Sequence, residues 1–307
     1  MAQETIYYFS GASYQKEKLE YNVDQLFSQY HERALVRKTI EYKKEHPEHT
    51  GKIMVDSGAF TAYTKGVTID IDDYLRFIEE VGDWVEIFAE VDDVPDPNNM
   101  DYSKADTSWN NYLYMIEHVD PKYKHKIIPV FHYGEDFQHL RRMLEFVHDD
   151  GRHIDYIGLA ISLEGTQKVR ISWANECRRI IKESSNPDVK THAFGVGVKN
   201  VLDHIDVTST DATSWVKCAA YGMIRIDDNS VYVSDELVNR FDGRHYTQRS
   251  KSYREEVERI VKERGYDMHE LATSSKARVR FNIEDTLNWV KKLNQDKSYL
   301  TRVDLGW

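Results

Sequence analysis

Two periodicities alternate along the chain. Short continuous apolar runs such as IIPVF and YIGLAI are separated by longer segments in which apolar residues recur every three or four positions. A strand covered on both faces needs the first kind of run, and the second marks one face of a helix. The pattern predicts strands at 6–9, 52–56, 85–91, 126–131, 156–161, 192–196 and 206–209. It predicts helices at 71–81, 107–118, 136–148, 172–184 and 198–204. In the third of these helices Phe137, Leu140, Leu144 and Val147 share a face. Such alternation predicts an α/β fold built on a parallel sheet.

Seven strands are one short of a closed (β/α)8 TIM-type barrel. Either 34–40 or 223–226 supplies the eighth, and an open doubly wound sheet is the alternative. No G-x-G-x-x-G and no P-loop follows a strand, which weighs against dinucleotide and nucleotide binding. Alternation stops near Ser234. Residues 1–233 are therefore read as the barrel, and 234–307 as a small C-terminal extension, helical and irregular.

That extension changes the charge picture. The chain carries 41 Lys plus Arg against 52 Asp plus Glu, a net charge of −11, so its surface repels nucleic acid on average. Residues 240–280 instead hold 11 basic against 7 acidic side chains. Part of the excess lies in YREEVERIVKERG, a helix that pairs its own charges. Arg244, Arg249, Lys276, Arg278 and Arg280 lie outside it and are candidates for phosphate contacts at the barrel mouth.

Composition narrows the class further. Hydrophobic residues at 40% and charged residues at 30% suit a folded core and not a disordered chain. No apolar run approaches the roughly 20 residues of a membrane span. The start, MAQETIYYFSG, lacks the basic flank and apolar stretch of a signal peptide. Cys177 and Cys218 are the only cysteines, which excludes a disulfide framework and a zinc site built on several thiolates. The expectation is a cytoplasmic protein with neither metal nor cofactor.

In such a barrel the chemistry belongs at the C-terminal ends of the strands. The predicted ends are VDSGAF, AEVDDVP, VFHYG, IGLAIS, AFGVG and TSTDATSW, bringing Asp56, Asp92, Asp93, His132 and Asp211 to one rim. A strand-end Asp is often only the N-cap of the next helix. Several converging on one rim, without a histidine cluster, suit chemistry at a sugar anomeric carbon, where one acid is nucleophile and another moves the proton. Glycines beside them leave N–H groups for a ligand oxygen. Phe60 and Phe194 either sandwich a planar base or belong to the core. His192, read as the first residue of its strand, falls at the opposite rim.

These residues resemble the tRNA-guanine transglycosylase family. Asp56-Ser57-Gly58-Ala59-Phe60 resembles its D-S-G-G-F segment, Gly158-Leu159-Ala160 its G-G-L-A turn, and Phe194-Gly195-Val196-Gly197 its M-G-V-G turn. Asp206 followed by Asp211 resembles the stretch that ends in the family's nucleophile. The motifs are collinear from about Ile53 to Gly222. The likeness is closest to the compact phage branch, in the pieces 56–60, 66–70 and 92–95, and several members of that branch modify DNA.

The resemblance implies a transglycosylase that exchanges guanine in a nucleic acid for a free 7-deazaguanine base. Asp211 would attack C1′, and Asp56 would serve as general acid and base. Asp92 would read the purine, with Asp93 as the alternative by a slip of one residue. Ser57, Phe60, His132, Gly158, Leu159, Phe194 and Gly195 would line the base site, His132 standing where the family has a Gln or else being a core histidine. The family's zinc knuckle is missing, because only Cys218 follows the nucleophile. DNA is therefore favoured as the partner, in host cytoplasm if the gene is a phage's. The alternatives are action on tRNA and a non-catalytic accessory subunit.

Overall fold

The structure, a computed structural model, describes residues 4–95, 103–161, 166–237 and 243–300. The chain divides into two units. The larger spans Thr5–Ala12 and Asn22–Ala212. Its strands are β1 (Ile6–Ser10), β2 (Gln25–Ser28), β3 (Ile53–Asp56), β4 (Ile87–Ala89), β5 (Ile127–Ile128), β6 (Val130–His132), β7 (Tyr156–Ala160), β8 (Lys190–Phe194) and β9 (Ser209–Ala212). All pair in parallel, in the order β5-β4-β3-β2-β1-β9-β8-β7-β6.

The two ends of that order are one stretch of chain. β5 and β6 are separated only by Pro129, which has no N–H to give the ladder, while its carbonyl still accepts from Gly158 N at 2.8 Å. Because β5 pairs with β4 and β6 with β7, the 127–132 segment closes the ring. The result is a TIM-type (β/α)8 barrel with helices between the strands.

The eighth strand is neither of the two candidates. It is β2, whose QLFS offers only two apolar residues between polar ones, too little to stand out as a strand. Residues 34–40 lie in the helix Gln29–Glu45, where Glu32, Val36 and Ile40 are buried at helical spacing. Residues 223–226 do form a strand, but it pairs antiparallel with Asn229–Tyr232 in a separate two-stranded sheet. Two predicted strands shift register. The one expected at 192–196 starts at Lys190, and the one expected at 206–209 runs through Ser209–Ala212. The helix Ile71–Val81 is as expected, with Asp70 capping it by accepting from Asp73 N at 3.0 Å.

Inside the ring Tyr8, Leu26, Met54, Ile87 and Ile128 form a buried apolar plug, with Ile6, Tyr156 and Phe194 against it. Side chains two residues further along a strand point to the same face. Leu26 and Met54 on the plug thus place Ser28 and Asp56 facing inward one layer higher.

The second unit gathers Ser13–Tyr21 and the chain from Thr213 onward, so the boundary near Ser234 moves about twenty residues earlier. The reason is side-chain pairing within that unit. Asn282 in the helix Ser275–Leu300 donates to Trp215 O at 3.0 Å and accepts from Arg225 N at 2.7 Å. This binds the helix Ser214–Ala220 and the hairpin to the terminal helix. Ile224, Val231, Val257, Val261, Leu271 and Phe281 lie in its core. Asp227 and Asp228 both take positive φ, the two-residue turn that a tight hairpin requires. Among the described residues, no helix is long and apolar enough to cross a membrane.

Candidate active site

Asp56 ends β3, and the chain turns through Gly58 at φ +80° into the helix Ala59–Lys65. A Cβ at Gly58 would lie 2.5 Å from Tyr30 Cβ, so the turn tolerates only glycine. Burial pushes the Asp56 carboxyl up, and the charges of Asp92, Asp211 and Glu32 push it further. The Gly58 N–H bonds it and partly opposes them, leaving Asp56 at about 7. Ser57 is fully buried. Its Oγ donates to Asp92 Oδ1 at 3.2 Å and accepts from Ala59 N at 3.2 Å, while its carbonyl accepts from Gln29 Nε2 at 2.8 Å. Ser57 therefore holds Asp92 and the start of the helix together.

Asp92 and Asp93 part company after β4. Asp92 Oδ2 accepts from His132 Nε2 at 2.8 Å, and His132 Nδ1 is 3.1 Å from Glu135 Oε1. Burial alone would lower the His132 pKa, but hydrogen bonds to Asp92 and Glu135 override it and raise it to about 10. His132 is thus an imidazolium clamped between two carboxylates, with both ring nitrogens occupied. Asp93 is tied to Lys104 Nζ at 3.0 Å, and its own N–H to Ser108 Oγ. Glu90 is fully buried. Its Oε1 accepts from Val130 N at 2.6 Å, and burial drives its carboxyl well above the usual range.

Asp211 lies within β9 and is almost buried. Its Oδ1 accepts from Gly195 N at 2.8 Å and lies 3.3 Å from His192 Nε2. Gly195 takes φ +70°, so the glycine turn after β8 aims its N–H at Asp211. His192 is in the middle of β8, not at its start, and reaches the functional rim. Reading its strand two residues late hid it. Its Nδ1 is 2.6 Å from Ser209 Oγ, which accepts from Tyr156 O–H at 2.7 Å.

The remaining residues fall into distinct settings. Phe60 is 60% exposed, so it is not core. Phe194 is half-buried, edge-on to His192 with centroids 4.4 Å apart. Its ring seats over Gly158, where a Cβ would come within 2.6 Å of it. Gly158 and Leu159 lie inside β7, and Gly158 N–H is engaged by Pro129 O. Asp206 precedes β9 and pairs with Arg178 at 2.8 Å.

The cations proposed for phosphate contact divide as well. Arg278 is not a surface cation. It is 6% exposed, and its guanidinium donates to the carbonyls of Ala219, Leu271 and Ala272, the last two at the end of the helix Met268–Thr273. Lys276 pairs with Glu17 at 3.2 Å, and Arg280 pairs with Glu20. Arg244 and Arg249 are exposed, Arg249 lying over the Tyr253 ring.

Pattern reading did not single out Glu90, Gln29, Glu135 or Ser209. The His132-x-x-Glu135 spacing across the turn after β6 was the one local signal available. Among the described residues, no group of three His, Cys, Asp or Glu side chains is arranged to hold a metal ion. No family model matches the chain, and no curated protein matches it.

Proposed function

We propose that this chain is a base-exchange transglycosylase that replaces guanine in a nucleic acid, preferably DNA, with a free 7-deazaguanine base. The observation that carries the reading is the Asp56 carboxyl held at about 7 by burial and by the charges of Asp92 and Asp211. A carboxyl poised there gives up and recovers a proton at neutral pH. Asp211 attacks C1′ as the C1′–N9 bond breaks, through an oxocarbenium-like transition state, and the proton on Asp56 goes to the departing guanine. The incoming base then loses a proton to Asp56 and takes C1′ from Asp211, which restores both acids. Asp92, held by Ser57 and His132, accepts hydrogen bonds from the N1–H and exocyclic amine of the purine.

Preference for DNA is supported by the phage-like motif pattern and the absence of the thiolate knuckle. The test is one tube holding labelled base, DNA and tRNA, run with wild type and Asp211→Asn. Label in DNA, together with a covalent protein–nucleic acid adduct absent from the variant, is the expected result. Label only in tRNA moves the activity to tRNA. No label in either, or undiminished exchange by Asp211→Asn, overturns the reading.

A further inference from the structure

The side chains behind Asp211 form a continuous chain. Tyr156 O–H donates to Ser209 Oγ at 2.7 Å, Ser209 Oγ lies 2.6 Å from His192 Nδ1, and His192 Nε2 lies 3.3 Å from Asp211 Oδ1. His192 and Ser209 are fully buried. Burial keeps the Tyr156 phenol protonated, and its O–H is directed at Ser209 Oγ. The serine then has its own proton to give, and its neighbour at 2.6 Å is His192 Nδ1. The carboxylate oxygen Oδ1 can only accept, so the imidazole proton at that contact is on Nε2, facing Asp211, and Nδ1 accepts from Ser209.

Oδ1 therefore receives two donors, Gly195 N–H at 2.8 Å and His192 Nε2–H. Among the described residues, no hydrogen bond reaches Oδ2. We propose that His192, set by Ser209 and Tyr156, is a positioning residue that fixes Oδ1 and leaves Oδ2 as the oxygen that bonds C1′. This rests on the reading of Asp211 as nucleophile.

The consequence differs between the two half-reactions. When C1′–Oδ2 forms, Oδ1 becomes the carbonyl oxygen of a glycosyl ester and keeps both donors. When that bond breaks, its electron pair returns to the carboxylate, and negative charge grows on the oxygen that Gly195 and His192 already face. Donors aimed at developing charge act mainly on the step where the charge appears. His192 therefore speeds release from Asp211 more than it speeds attack.

The experiment measures the two steps separately in the full-length chain. Adduct formation is followed in a single turnover without free base, and adduct breakdown after free guanine is added. His192→Phe should slow breakdown by roughly 10²-fold, the cost of one such donor, while slowing formation several-fold less. The adduct should then accumulate at steady state. His192→Gln, which keeps an N–H donor, should recover part of the breakdown rate. Equal slowing of both steps in His192→Phe, or an unchanged ratio, overturns the inference. If His192→Phe does not fold, Ser209→Ala is measured in the same way, and an unchanged ratio there has the same meaning. Absence of any adduct in wild type is a different result, and it removes the reading of Asp211 itself.

Discussion

His132 Nε2 donates to Asp92 Oδ2 at 2.8 Å while Nδ1 donates to Glu135 at 3.1 Å, so one buried imidazolium joins two carboxylates. Removing it leaves Asp92 and Glu135 without the counter-charge they share. Breaking a buried ion pair from one side costs about 3–5 kcal/mol, and His132→Gln should lose stability of that order. The raised pKa fixes the sign. Stabilisation is complete below the ordinary histidine value of 6.5 and is lost as pH rises through about 10. NMR of the His132 ring should show no titration between pH 6 and 8.5. A midpoint near 6.5 would contradict the clamp.

Asp56 is shifted in the same direction, but its charged form is the deprotonated one. Its folded pKa of about 7 lies above the ordinary 3.8, so the proton it holds in the folded state stabilises fully below 3.8, and that contribution is lost as pH rises through 7. Asp56→Asn keeps a neutral group there. The variant should therefore be more stable than wild type at pH 8, by an amount on the order of 2–4 kcal/mol, with little gain at pH 4. Denaturant unfolding at the two pH values checks it. Exchange by wild type should trace a bell centred near pH 7, because the carboxyl must serve in both protonation states.

The two neighbouring aspartates separate by assay. Asp92→Ala should raise KM for guanine at least about tenfold, since a charged acceptor facing two donors is lost. Asp93→Ala loses the Lys104 pair, which is partly exposed, and should leave that KM within about twofold. The reverse pattern would move base recognition to Asp93.

Arg278→Ala should destabilise the second unit by about 2–4 kcal/mol, because carbonyls of Ala219, Leu271 and Ala272 lose their donor. Charge reversal at the exposed Arg244 and Arg249 should leave thermal stability within about 0.5 kcal/mol. If this segment contacts phosphates, that double change flattens the salt dependence of DNA binding, by close to one logarithmic unit of slope per lost contact. An unaltered slope would place the phosphate contacts elsewhere.

Alternation of strand and helix was written locally. Continuous apolar runs such as IIPVF and the caps Asp70 and Asp136 act within a few residues of themselves, so their positions survive into the fold. The acids Asp56, Asp92 and Asp211 were legible for the same reason, because each lies in the last residues of a strand or just beyond it, whereas Gly158 turned out to lie inside β7. β2 was not legible. Two apolar residues become a strand only because β1 and β3 flank them on either side. Nor was His192, since a shift of two residues in where a strand starts decides which rim a side chain reaches. Tertiary structure alone decided the proton on Asp56, the charge on His132 and the burial of Arg278. Each depends on groups brought together from distant parts of the chain, and water, which sets the ordinary behaviour of such side chains, has been excluded from between them.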